Sequence, residues 1–228
     1  MPRKKSPQVE QAYQYIKNKI LKYEILPGEV ISDNALAAEL GMSRSPIREA
    51  IMRLETVGLV ERVAHGVICA RLGKDDIEEI CELRRALEVL AVELIFKKGG
   101  LNKKQTAELT DIYNSFTRAF SGEKRYYWDD MFHATIVAFS NNKRLISMLE
   151  QMQLQISRVR WLNILAPRAQ ASFEEHEQIY RALLAKDEQG CIDAVRLHLV
   201  RTEENFLRIL EDPQYRMVQL GVATLFTN

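Results

Sequence analysis

The sequence predicts a mainly α-helical chain in two parts: a small N-terminal unit closed by one β-hairpin, then an all-α bundle of about six helices. Three observations carry this. Between Leu36 and Leu59, two short helical stripes flank a glycine. Directly after them come two β-branched-rich runs joined at a second glycine. From Lys74 onward, apolar residues recur at helical spacing for about 135 residues, with no convincing strand pattern.

Met1–Lys5 reads as a short basic tail, either outside the fold or an arm for a phosphate backbone. Ser6-Pro7 places a cap before a proline at the first helical position, and Val9, Ala12, Ile16 and Ile20 carry that helix to Lys22. Leu26-Pro27-Gly28 is a turn, and Ser32 can cap the next helix, whose apolar side is Leu36, Ala37 and Leu40. Gly41 is the left-handed stop, and Ser43 has the side chain wanted at the following N-cap. Pro46 is tolerable in a first turn. Ile47, Ala50, Ile51 and Leu54 then make one buried stripe, and Gly58 ends the helix.

Arg44, Ser45, Arg48 and Arg53 are left on the other side of that helix. Guanidinium forks match guanine O6 and N7, and hydroxyls suit phosphate, so the pattern fits a helix-turn-helix whose second helix enters a DNA major groove. A helical hairpin with a solvated basic face is the plainer reading of the helices alone. The next segment separates the two. Leu59–Val63 and Val67–Ala70 read as a hairpin around Ala64-His65-Gly66, with glycine supplying positive φ at the tip. Helix, turn, helix and hairpin make a winged helix. Ser43, Arg44, Ser45, Arg48, Arg53, His65 and Gly66 are its candidate DNA-binding residues.

Composition sets bounds. Hydrophobic residues at 46% and charged residues at 28% are a normal soluble globular balance, and 228 residues suffice for two domains. The net charge of +1 does not announce a nucleic-acid binder, but residues 1–73 carry +3 and residues 74–228 carry −2. The basic surplus therefore sits in the winged-helix half and is small, which favours specific base reading over strong non-specific binding. Cys69, Cys81 and Cys191 form no framework, which indicates free thiols in a reducing compartment. No signal peptide or long apolar run directs the chain to a membrane, and a cytoplasmic location is expected.

Arg71-Leu72-Gly73 is a plausible linker, giving a DNA-binding domain at 1–73, an effector and dimerisation domain at 74–212 and an extension at 213–228. Breaks at Gly99-Gly100, Ser121-Gly122, Asn141-Asn142, Pro167 and Lys186–Gly190 divide the bundle. Between Asp75 and Phe96, Arg84 and Glu88 lie on the inward stripe, where charge is costly unless paired. They read as an i,i+4 pair at the bundle rim, or with Arg84 as a clamp for an anionic ligand. Arg160, one turn beyond Ile156, is a weaker second ligand candidate for which a solvated face is the plainer fate.

Three of the four histidines fall in three different bundle helices. Asp129 and His133 are four apart and share a face of Tyr127–Ser140. His176 follows Ser172 and Glu175, which read as a capping box. His198 is in line with Cys191, Val195 and Thr202. Each histidine alone reads as a satisfied core residue. Together with Asp129 they make an N/O set suited to a divalent metal ion, zinc first, with nickel or manganese as alternatives.

The run LPGEVISDNALAAELGMSRSPIREAIMRLETVGLVERVAHGVICA resembles the N-terminal domain of GntR-type bacterial transcription regulators. Their pattern is Pro-Gly, Leu-Ala, Ser-Arg-x-Pro-x-Arg-Glu-Ala, Leu-Glu, Gly-Leu and a glycine in the wing. Asp129–His133 is similar to the D-x-x-F-H of the FCD effector domain of the FadR subfamily, Glu175–Ala182 to its E-H-x-x-I-x-x-A, and Leu197-His198-Leu199 to its final H-L. The resemblance covers about residues 8–210 and implies a metal held by Asp129, His133, His176 and His198 beside a small-acid pocket. Arg84–Glu88 matches the family's Arg-x-x-Leu-Glu, which leans toward Arg84 as an effector clamp. It further implies a homodimer on an inverted-repeat DNA operator, answering a small carboxylate or sugar acid, with repression the commoner arrangement. Asn34 departs from the Arg or Glu of many relatives, which leaves operator preference there open. Two alternatives are a metal-dependent enzyme using the Asp129 and histidine set, and a regulator with the same fold and no metal.

Overall fold

The computed structural model describes residues 6–119, 124–161 and 168–213. The basic tail at 1–5, the breaks at Ser121-Gly122 and Pro167, and all of the C-terminal extension beyond Pro213 lie outside the described residues. The chain divides into two compact units, with the first boundary between Gly73 and Lys74.

In the first unit α1 (Pro7–Leu21) buries Val9, Ala12, Ile16 and Ile20, and packs on α3 (Arg44–Thr56). Between them α2 (Asp33–Leu40) starts where the Ser32 hydroxyl accepts the Ala35 N–H at 3.2 Å, and stops at Gly41 with φ 61°. Ser43 takes the N-cap position of α3 without a side-chain cap bond, and Pro46 lies in the first turn. The α3 stripe of Ile47, Ala50, Ile51 and Leu54 is buried. Strands β1 (Val60–Val63) and β2 (Gly66–Cys69) pair antiparallel, from Val60 opposite Cys69 to Val63 opposite Gly66.

The Pro-Gly turn leads into more than a loop. Residues 28–31 lie along β2, with Gly28 N–H donating to the Cys69 carbonyl, Cys69 N–H to Glu29 and Ile31 N–H to Val67, each at 2.8 Å. This third edge ties the wing to the chain ahead of α2. Gly28 has φ 81°, the left-handed region that favours glycine, and a Cβ there would press lightly on the Arg71 side chain at 3.3 Å. Leu54, fully buried at the α3 stripe, holds this unit together. Leu54→Ala is expected to cost about 2–5 kcal/mol in urea unfolding, through lost burial and the cavity left.

The second unit contains α4 (Lys74–Lys97), α5 (Lys103–Arg118), α6 (Lys124–Phe139), α7 (Lys143–Trp161), α8 (Ala169–Ala185) and α9 (Glu188–Glu211). Helix α6 is central and packs on α4, α5 and α7. One apolar core gathers Val92, Leu109, Phe132, Ile136, Ile179, Val195 and Leu199 from α4, α5, α6, α8 and α9. A second joins Leu87, Ala91, Val137, Leu145 and Ile156 on the α4, α6 and α7 side. No described helix is long and apolar enough to cross a membrane.

Two local expectations are corrected. Ser172 and Glu175 do not cap α8, because the helix already begins at Ala169 and the Ser172 carbonyl is taken by His176. The break expected over Lys186–Gly190 is confined to Lys186 and Asp187: Lys186 turns left-handed at φ 58°, and Gly190 lies in the first turn of α9.

Candidate functional site

The chain carries two polar constellations that packing alone does not account for, one on the first unit and one inside the second. On the first, the buried stripe of α3 leaves Arg44, Ser45, Arg48 and Met52 exposed. Arg44 and Arg48 are 52% and 59% exposed at the side chain, and both approach one carboxylate. Arg48 Nε donates to Asp33 Oδ2 at 2.5 Å, and Arg44 Nε stands 3.5 Å from the same oxygen. The wing residues His65 and Gly66 are exposed, and a groove of about 540 Å³ runs between α3 and the wing. Asp33, Arg48, Met52, Arg62 and His65 are among its lining residues.

Arg53 is not on this surface, contrary to the expectation. Its Nη1 donates to Glu10 at 3.0 Å, and its guanidinium sits 4.1 Å from the Tyr13 ring centre, so it stacks back onto α1. Sequence reasoning placed Arg53 by elimination and could not see that α1 brings an acid and an aromatic face to it. Met52 was legible, being four residues beyond Arg48 on the same face. Asp33 and Arg62 were not.

Inside the second unit, Asp129 and His133 on α6, His176 on α8 and His198 on α9 are all buried. One ring nitrogen from each of the three histidines lies within 4.8 Å of the others. Every imidazole is held from behind. His133 Nδ1 meets Glu88 Oε2 at 2.7 Å, His176 Nδ1 meets the Ser172 carbonyl at 2.5 Å, and His198 Nδ1 meets Glu175 Oε2 at 2.8 Å. All three partners are acceptors, so each Nδ1 carries a proton and each Nε2 is turned to the front of the site.

The front of the site then gathers nitrogen and carboxylate atoms that can ligate. His133 Nε2 and His176 Nε2 are 3.1 Å apart, and Asp129 Oδ1 is 2.9 Å from His176 Nε2. Contacts between nitrogen and oxygen acceptors at that range need a shared proton or a cation between them. Neighbouring ligands of an ion bound at about 2.0–2.2 Å are themselves separated by about 3 Å. The acceptor behind each imidazole is the arrangement that orients metal-ligating histidines. The residues present therefore fit a divalent ion.

Electrostatics point the same way. Burial, reinforced for His198 by the other two histidines, pushes the His133 and His198 imidazoles below their ordinary pKa, and His198 well below it, so both are neutral and can ligate. Burial works against the Asp129 carboxylate, but the Arg160 guanidinium and then His176 outweigh it and hold Asp129 well below the usual carboxylate range. Glu88 is likewise kept ionised against burial, chiefly by Arg84 and then His133.

The arginines complete the site. Arg84 Nε donates to Glu88 at 2.7 Å, while its Nη2 is buried with no hydrogen-bond partner among the described residues. Arg160, whose plainer expected fate was a solvated face, is 5% exposed and bonds Asp129 at 2.8 Å as well as Asp130. A cavity of about 40 Å³ opens beside Asp129, lined by Phe116, Arg125, Tyr126, Arg160, Arg168 and Ser172 among others. Arg84 is not among its lining residues. Arg168 bonds Glu175 at 2.5 Å and Thr202 at 3.1 Å. Arg125 and Arg168 carried no periodic signal in the sequence and emerge only from the packing.

Comparison with known proteins gives consistent matches over most of the chain. Residues 8–67 match the family model described as bacterial regulatory proteins, gntR family, and residues 79–201 match the FCD domain. An uncharacterized HTH-type transcriptional regulator of Bacillus subtilis, YdhC, is 30% identical over 92% of this chain and 95% of its own length. The Nta operon transcriptional regulator of Aminobacter aminovorans is 30% identical over 83% of this chain and 90% of its own. The solved structure of McbR/YncC from Escherichia coli shares the fold, with a TM-score of 0.72 at 24% identity over 90% of this chain and 99% of that one.

Proposed function

We infer, for a chain that belongs to the GntR family of bacterial regulatory proteins and carries an FCD domain, that a metal-centred pocket in the bundle reads a small acid and governs operator binding. The chain is a DNA-binding transcription regulator and not an enzyme. Asp129, His133, His176 and His198 would hold one divalent ion, with zinc first and nickel or manganese as alternatives. The observation that carries this reading is the convergence of imidazole lone pairs and a carboxylate, each imidazole backed by an acceptor.

When bound, the ion supplies a Lewis-acidic positive charge to which a carboxylate oxygen can add as a further ligand. The chain's own contribution is to make the pocket cationic. Arg160 lines it, Arg125 and Arg168 flank it, and Arg84 holds a buried donor in reserve behind the cluster. Three guanidinium groups around one cavity favour a small carboxylate or sugar acid as effector. Of the carboxylates a hydrolytic reading would want as general base, Glu88 and Glu175 are committed to histidine Nδ1–H groups and Glu177 pairs with Arg181.

Ser43, Arg44, Ser45 and Arg48 with His65 and Gly66 form the proposed DNA-reading surface. A homodimer presents two such surfaces to an inverted repeat, as a two-fold protein requires. Leu83 and Leu90, 52% and 40% exposed and seven residues apart on α4, offer an apolar seam for the partner copy. The acid must bind the operator-competent and operator-incompetent states with different affinity, and we read the acid-free dimer as the repressing one.

The test titrates small carboxylates and sugar acids into the protein bound to its operator, followed by fluorescence anisotropy. At least one acid is expected to lower operator affinity and to raise the protein's thermal midpoint. Arg160→Ala is expected to weaken that acid's effect by at least about tenfold, because a charge-assisted contact is worth about 1.5–3 kcal/mol. A panel in which no acid shifts either readout would contradict the effector reading.

A further inference from the structure

We propose that Asp33 sets the orientation in which Arg48 meets a base, and is thereby a specificity-determining residue although it donates nothing to DNA itself. The proposal rests on the reading of α3 as the base-reading helix. Arginine recognises guanine with two N–H groups that must arrive together in one plane. A half-exposed arginine otherwise samples many rotamers, and its fork is aimed only part of the time.

Asp33 supplies the missing constraint. Its carboxylate takes Arg48 Nε at 2.5 Å, and this is the one nitrogen of the guanidinium whose engagement leaves both Nη groups at the far edge. Among the described residues the Arg48 guanidinium makes no other hydrogen bond. Asp33 is itself firmly placed. It is the first residue of α2, directly after the Ser32 cap, at the helix end where a carboxylate is stabilised. The Arg48 hydrogen bond, Arg44 and the backbone N–H of Asn34 together hold the Asp33 carboxyl below its ordinary pKa, so it stays ionised. Asp33 and Arg48 line the same groove between α3 and the wing.

Charge alone would not place an acid there. A carboxylate on a surface that meets phosphates opposes non-specific binding. Orientation of Arg48 and this opposition act in the same direction on the specificity ratio, and they can be separated by experiment.

The test uses the full chain and an operator isolated by selection from randomised duplex DNA. Wild type, Asp33→Asn, Asp33→Ser and Arg48→Ala are compared by anisotropy on that operator, on operators carrying each guanine changed in turn, and on a scrambled duplex. Circular dichroism is recorded for each variant, and the two Asp33 replacements guard against a folding effect of either one. Arg48→Ala is expected to flatten preference at one base pair of each half-site. Both Asp33 variants are expected to flatten the same base pair by about tenfold, the scale of a bidentate contact, while the scrambled duplex binds as well as before or better. Asp33 variants that raise affinity for every duplex equally, with the preference at that base pair intact, would overturn the proposal and leave only electrostatic opposition. If Arg48→Ala leaves operator affinity unchanged, the reading of α3 fails and the proposal fails with it.

Discussion

Replacing Arg44 and Arg48 together by alanine is expected to abolish specific operator binding while leaving the fold intact. Both side chains stand on the exposed face of α3, and both pair with the same carboxylate, Asp33. Neither contributes to the buried stripe, so circular dichroism and the thermal midpoint should move little, as expected for surface ion pairs. A bidentate arginine–guanine contact is worth about 1–3 kcal/mol, so losing two costs about 2–6 kcal/mol, roughly 30-fold to 10⁴-fold in affinity. Anisotropy against operator and scrambled duplex checks this. Arg53→Ala is the contrast: held on α1 by Glu10 and Tyr13, it should affect stability and leave sequence preference alone.

The second large effect is on the bundle. His176 is fully buried, with the Ser172 carbonyl behind it and Asp129 and His133 in front. His176→Ala removes one of the proposed ligands and leaves Asp129 Oδ1 and His133 Nε2 without that partner. The variant is expected to purify without stoichiometric metal and to melt at lower temperature than wild type. For wild type, dialysis against a chelator should reproduce much of that loss. An ion present at about a hundred times its dissociation constant stabilises by about 2.7 kcal/mol, and each kcal/mol moves a domain of this size by about 2–4 °C. A chelator-induced drop of about 5–11 °C in wild type, and none in His176→Ala, is the expected pair of melting curves.

What the sequence carried is what a single helix or hairpin determines. The α3 stripe, the Gly41 stop and the hairpin tip depend on spacing and on backbone conformations that glycine permits, and all are local. Asp129 and His133 share a face because they are four apart, whatever packs against them. What was illegible depends on a neighbour from elsewhere in the chain. Arg160 is buried because Asp129 and Asp130 of α6 await it, and nothing on α7 announces those partners. Arg53 turns back because α1 offers Glu10 and Tyr13. Ser172 and Glu175 matched a capping pattern, yet the helix starts earlier and both serve histidines instead. The strand-like run at 28–31 was hidden because its pairing with β2 is long-range.

Charged residues on an inward stripe, such as Arg84 and Glu88, looked costly in the sequence, and the structure supplies a reason for them. Arg84 keeps Glu88 ionised, Glu88 fixes the proton on His133 Nδ1, and His133 Nε2 faces the centre. A chain of that kind is expensive to bury and serves no packing purpose. The metal-centred reading proposed above would explain its arrangement, through the ion that its last member would hold.

The central claim is therefore most directly tested by elemental analysis of the native protein purified without chelator. About one equivalent of a single divalent transition metal per chain is expected, lost in His176→Ala. Wild-type protein that is folded, binds its operator and carries no stoichiometric metal, even after incubation with zinc, nickel or manganese, would contradict it.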